Sequence, residues 1–85
     1  MAPSAVHADI LREVQCELQK AQAKFPPFHS AHEGWAILKE ELDELWDIIR
    51  INQSIPERAA LMHREAIQVA AMALRFLIDL PAFQN

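Results

Sequence analysis

The sequence predicts an all-α fold of three helices in one chain, and three observations carry that expectation. A single Gly and five Pro in 85 residues leave few positions for the turns that many short strands need. Tyr is absent and β-branched residues are sparse, whereas Ala, Leu, Glu and Gln are plentiful. Apolar side chains also recur at helical spacing between proline-marked joints.

The first helix is expected over about 6–24. Ile10, Val14, Leu18 and Ala21 form its apolar stripe, with Leu11 and Phe25 close by, while Arg12, Glu13, Gln15, Glu17, Gln19 and Lys20 fill most of the rest. Met1, Ala2, Pro3 and Ser4 read as a frayed start. Pro26 and Pro27 stop the helix, and Phe25 to His29 should be an extended connector, because a residue before proline avoids the helical region.

Ser30 and Glu33 have the spacing of a capping box. A second helix is expected over about 31–52, with Leu38, Leu42, Leu45 and Ile49 down its centre line. Ser54 and Glu57 repeat the capping spacing around Pro56, which a first helical turn tolerates. The third helix is expected over about 55–80, with Pro81 following. Leu61, Met62, Val69, Met72, Phe76 and Leu80 form one face of it, yet Ile67, Leu74, Leu77 and Ile78 occupy the other. A helix apolar nearly all round is usually enclosed on all sides, and two other helices from one small chain cannot enclose it. The expectation is therefore one domain over 1–85 that dimerises into a four-helix-bundle core.

A net charge of −4 argues against binding to a nucleic acid polymer or to anionic lipid. The lone cysteine, Cys16, excludes an internal disulfide and a multi-cysteine zinc site. Without a signal peptide or an apolar run long enough to span a bilayer, the expectation is a cytoplasmic protein that meets no membrane.

The acidic run from Glu40 to Asp47 divides by helical geometry. At about 100° per residue, Asp43 and Asp47 lie opposite the leucine line, with Glu40 near them, as a solvated face requires. Glu41 instead falls on the flank with Ile37 and Ile48, and Glu44 lies beside it. In the third helix Glu65 sits among Leu61, Val69 and Met72, inside the apolar stripe, with Gln68 one turn further on. A carboxylate removed from water must be paired, protonated or bound to a metal. Two readings follow. Glu65 pairs with an arginine such as Arg12 or Arg50, or the carboxylates of both helices share a divalent cation, for which hard oxygen ligands favour Mg2+ or Mn2+ over zinc.

Glu41-x-x-Glu44 followed on the next helix by Glu65-x-x-Gln68 resembles the MazG-like, all-α nucleoside triphosphate pyrophosphohydrolase superfamily. Its members carry ExxE on one helix and ExxD on the following one. The words His32-Glu33-Gly34-Trp35 and Leu38 to Trp46 are similar to that family, and Glu65 to Ala73 is similar to its small phage and mobile-element members. The resemblance spans about 28–80 and implies a homodimer or homotetramer that uses Mg2+ (or Mn2+) to hydrolyse a nucleoside triphosphate, ribo or deoxy, to the monophosphate and pyrophosphate. Carried over position by position, it makes Glu41, Glu44 and Glu65 the metal ligands and, in that capacity, the catalytic residues. Gln68 stands where the family has aspartate; it offers a carbonyl oxygen to a hard cation but no charge. Lys39, Arg64 and Arg75 are then candidate phosphate contacts, with an i,i+4 pair to Asp79 the competing role for Arg75. Because of Gln68, a non-catalytic oligomerisation or nucleotide-binding module with the same fold stands as the alternative.

Other conspicuous residues point to structure. His29 and His32 lack a third nitrogen or sulfur ligand. Trp35 and Trp46 lie on the flank opposite Glu41, where large aromatics serve core or interface. Phe25 and Phe28 are expected to anchor the connector. No glycine-rich phosphate loop is present, so any triphosphate must be held by side chains and metal.

Overall fold

A computed structural model describes residues 4–51 and 53–83. Among them are three helices and no strand: α1 (Ala5–Lys24), α2 (Ala31–Ile49) and α3 (Arg58–Phe83). None is long and apolar enough to cross a membrane.

The ends follow from local chemistry, with three departures from expectation. Ser4 is the N-cap of α1, its hydroxyl accepting the His7 N–H at 3.2 Å; the remainder of the expected frayed start, residues 1–3, lies outside the described residues. Phe25, in extended conformation before Pro26, ends α1. Ser30 accepts the Glu33 N–H at 3.1 Å, and the Glu33 carboxylate accepts the His29 N–H at 3.2 Å, one residue earlier than a strict capping box.

The second departure is that α2 stops at Ile49, short of 52. The Arg58 guanidinium donates to the Ile49 carbonyl at 2.6 Å, satisfying an end-of-helix acceptor and placing a cation at the negative end of the dipole. Asn52 lies outside the described residues. Third, α3 is displaced along the chain, starting at Arg58 and not 55, and running through Pro81 to Phe83. Its first helical bond joins the Leu61 N–H to the Glu57 carbonyl at 2.9 Å, so Pro56 belongs to the preceding turn. Pro81, inside the last turn, has no N–H to give the Leu77 carbonyl one turn back.

Residues paired across the elements give their directions. Gly34 meets Phe76, Glu41 meets Glu65, and Ile49 meets Arg58, so α2 and α3 form an antiparallel hairpin. Glu13 meets His63, Glu17 meets Gln68, and Pro26 meets Arg75, so α1 runs parallel to α3. Both α1 and α2 pack on α3, and not on each other among the described residues. Val14, Ile67, Ala71 and Met72 form the core, and Ala71 is the one fully enclosed side chain among them at 0% exposure.

The result is open. The radius of gyration is 14.5 Å, against about 12 Å for a compact domain of this length. On the hairpin flank away from α1, α2 leaves Trp35, Leu42, Trp46 and Ile49 exposed, both tryptophans at 58%. These four lie within about 60° of one another around the helix. Ala66, Ala70, Ala73 and Leu77 of α3 continue the same flank by helical spacing, and Leu77 is 63% exposed.

A candidate metal centre beside a cleft

Because α1 and α2 each pack on α3 and their backbones stay apart, a cleft opens between them. It has a volume of about 790 Å³. Glu17, Lys20 and Lys24 of α1 form one wall; Glu33, Ile37, Glu40 and Glu41 of α2 form the other. Gln68, Met72 and Arg75 of α3 make the floor, and the connector from Phe25 to His29 closes one end.

The connector is held by two α3 side chains one turn apart. Asp79 accepts the Phe28 backbone N–H at 2.9 Å, and Arg75 donates to the Pro26 carbonyl at 2.6 Å. The Arg75 guanidinium also lies 4.1 Å from the centre of the Phe28 ring. Arg75 and Asp79 are both buried, 3.9 Å apart at nitrogen and oxygen, so the i,i+4 pair forms and faces the connector. Gly34 makes this packing possible: a Cβ there would lie 2.5 Å from Phe76 and 3.2 Å from Phe28.

At the wall of the cleft, Glu41 and Glu44 of α2 meet Glu65 of α3, each offering a carboxylate oxygen within 4.8 Å of the others. Glu41 and Glu65 are half-buried and Glu44 is exposed. Burial, then the neighbouring charge of Glu44 and its hydrogen bond, then the charges of Glu65 and Glu40, push the Glu41 carboxyl up to about 7. The nearest cation is Arg64, 3.9 Å from Glu65 and itself exposed. Neither arginine weighed as a partner for Glu65 reaches it: Arg12 pairs with Asp9, and Arg50 pairs with Asp47 at 3.0 Å. The carboxylates are thus concentrated without matching positive charge.

Oxygens sharing one ion can stand no further apart than twice the metal–oxygen distance, about 4.2 Å for Mg2+ and up to about 5 Å for Ca2+. A spacing within 4.8 Å fits a hard divalent cation after a closure of about half an ångström. Gln68 donates its side-chain NH2 to Glu17 at 2.8 Å.

The other expected phosphate contacts separate. Arg75 reaches the cleft floor but is committed to the connector. Lys39 is held by Asp43 at 2.8 Å on the exposed side of α2. Arg64 lines a second cleft between α1 and α3. The cleft's own wall cations are Lys20 and Lys24, which sequence reading missed together with Glu17. Their signal was available: positions 17, 20 and 24 recur at helical spacing beside Val14 and Ala21.

Comparison with protein-family models, with curated proteins and with solved structures returns no significant match.

Proposed function

We propose that this chain is a metal-dependent nucleotide pyrophosphohydrolase, releasing pyrophosphate and the monophosphate from an NTP or dNTP. The convergence of Glu41, Glu44 and Glu65 carries the reading, since the crowding of three carboxylates, two of them half-buried, is relieved by a divalent cation. The MazG-like resemblance of residues 28–80 supports the same reaction class.

In this reading the three carboxylates and the Gln68 carbonyl hold Mg2+ or Mn2+. The bound cation supplies positive charge to phosphate oxygens and acidifies water for attack on phosphorus. The chain's own part is placement. Lys20 and Lys24 face the cleft where polyphosphate oxygens need counter-charge. Phe25, Pro26 and Met72 give the far end an apolar wall suited to the nucleoside.

The active form in this proposal is a homodimer. The accessible surface is 6150 Å², whereas a folded monomer of 9.7 kDa exposes about 5,100 Å². The excess, about 1,000 Å², is more than the roughly 800 Å² that each partner buries in a complex of standard size. Pairing the Trp35/Leu42/Trp46/Leu77 flanks of two hairpins makes a four-helix core and leaves both clefts open.

The deciding experiment incubates the purified protein with a panel of NTPs and dNTPs plus Mg2+ or Mn2+ and measures pyrophosphate. Release that falls at least about a hundredfold in Glu41→Gln and in Glu65→Gln is expected. No release from any nucleotide, or release unchanged in both variants, rejects the enzyme. One observation favours the second reading, a nucleotide-binding module without turnover: Gln68 is neutral and already engaged by Glu17. Calorimetric binding of a triphosphate that is not hydrolysed identifies that case.

A further inference from the structure

Arg75 is the buried cation of the cleft floor, with 6% of the residue exposed. A guanidinium carries five N–H donors. Among the described residues its hydrogen-bond partners are the Pro26 carbonyl, 2.6 Å from Nη2, and the Met72 thioether, 3.9 Å from Nη1. The Asp79 carboxylate, 3.9 Å from Nε, stands beyond hydrogen-bonding distance. Sulfur is a weak acceptor, so Nη1 is the least satisfied end of the fork. It lies on the Met72 side, and Met72 lines the same floor. A buried donor without an oxygen acceptor is costly, and a ligand in the cleft can supply that oxygen. The guanidinium is not free to seek another partner, because Nη2 is tied to the connector and the group lies 4.1 Å from the centre of the Phe28 ring.

The surroundings decide which acceptor fits. Phe25, Pro26, Phe28 and Met72 line the cleft with Arg75, and the half-exposed Phe25 ring is centred 5.8 Å from the guanidinium. A phosphate would shed its water among these apolar groups at a greater cost than a carbonyl does. A flat ring bearing a carbonyl meets both demands: its faces suit the aromatic wall, and its oxygen accepts from Nη1. A cleft of about 790 Å³ admits purine and pyrimidine alike, so hydrogen bonding, and not size, must discriminate.

We infer that Arg75 is a specificity-determining residue: its Nη1 group reads the nucleobase and selects rings with a carbonyl, as in guanine and uracil, over rings with an exocyclic amine in its place, as in adenine and cytosine. An amine there sets donor against donor. This rests on the nucleotide-site reading above and names the substrate class within it.

Calorimetry of the whole protein with the α,β-methylene analogues of GTP, UTP, ATP and CTP in Mg2+ measures affinity without turnover. The GTP and UTP analogues are expected to bind at least about tenfold more tightly than their ATP and CTP counterparts. The ITP analogue, which has guanine's carbonyl but not its amine, should match GTP. Arg75→Lys keeps the positive charge but replaces the fork with a single nitrogen, and it should erase the difference between bases. Should that variant fail to fold, the wild-type side-chain N–H resonances of Arg75 decide: the GTP analogue should shift them and the ATP analogue should not. Equal affinity for every base, a preference undiminished in folded Arg75→Lys, or Arg75 resonances that respond alike to both purines overturns the base-reading role and leaves nucleotide binding standing. Binding of none of the analogues removes the nucleotide reading itself and this inference with it.

Discussion

Asp79 reaches back across 51 residues to accept the backbone N–H of Phe28 at 2.9 Å. That N–H sits in a connector where Pro26 and Pro27 have no donors and no helix or strand can take one up. Asp79→Ala strands a buried donor, at a cost of about 1–3 kcal/mol. It also releases Arg75 from its carboxylate. The urea midpoint should fall accordingly, while Asp79→Asn, which keeps an acceptor oxygen, should lose less. Equal midpoints for Asp79→Ala and wild type would show that the connector contributes nothing to stability.

Gly34 is the second point where the connector end depends on one position. Alanine would gain about 1 kcal/mol of helix propensity over glycine. The added methyl, however, would sit 2.5 Å from the Phe76 ring and 3.2 Å from Phe28. Overpacking of that kind costs about 1–3 kcal/mol, so clash outweighs propensity and Gly34→Ala is expected to destabilise. Thermal melts decide the sign; an increase in melting temperature would mean that Phe76 moves aside freely.

The carboxylate cluster sets a pH dependence with a defined direction. Below pH 4.5, the ordinary value, Glu41 is protonated in folded and unfolded chains alike; well above about 7 it is ionised in both. Between those limits the folded chain keeps a proton the unfolded chain has lost, so its stability falls as pH rises from 4.5 to about 7. Melts recorded in chelator across that window should decline with pH, and Glu41→Gln should flatten this contribution. A Glu41→Gln profile parallel to wild type would refute the shift.

Much of this arrangement was legible in the sequence because helical periodicity is a local property. Spacing alone set Glu41 and Glu44 apart from Asp43 and Asp47, and placed Glu65 on the buried stripe. It also paired Arg75 with Asp79. What spacing cannot specify is which helix faces which. Glu17 looks like one more solvated charge until α1 packs parallel to α3 and brings it to Gln68. The same long-range docking turns Arg75 and Asp79 towards the connector and puts Lys20 and Lys24, not Lys39, on the cleft. Helix ends shifted for a related reason: Arg58 caps α2 from the next helix, a tertiary contact no capping pattern within α2 encodes.

The exposed flank of the hairpin gives the last prediction. Trp35, Leu42 and Trp46 on α2 and Leu77 on α3 are each more than half exposed. Burying a side chain of this size contributes about 1.5–3 kcal/mol, so a twofold interface, which buries each residue twice, gains it on both subunits. Wild type is therefore expected to sediment as a dimer at micromolar concentration. Leu42→Lys and Leu77→Lys place a charge at the centre of that interface and should each shift the population to monomer. Neither residue lines the cleft, so Mn2+ affinity of the monomeric variants separates assembly from metal binding. Wild type that sediments as a monomer at every concentration would remove the homodimer and leave the carboxylate centre to be judged alone.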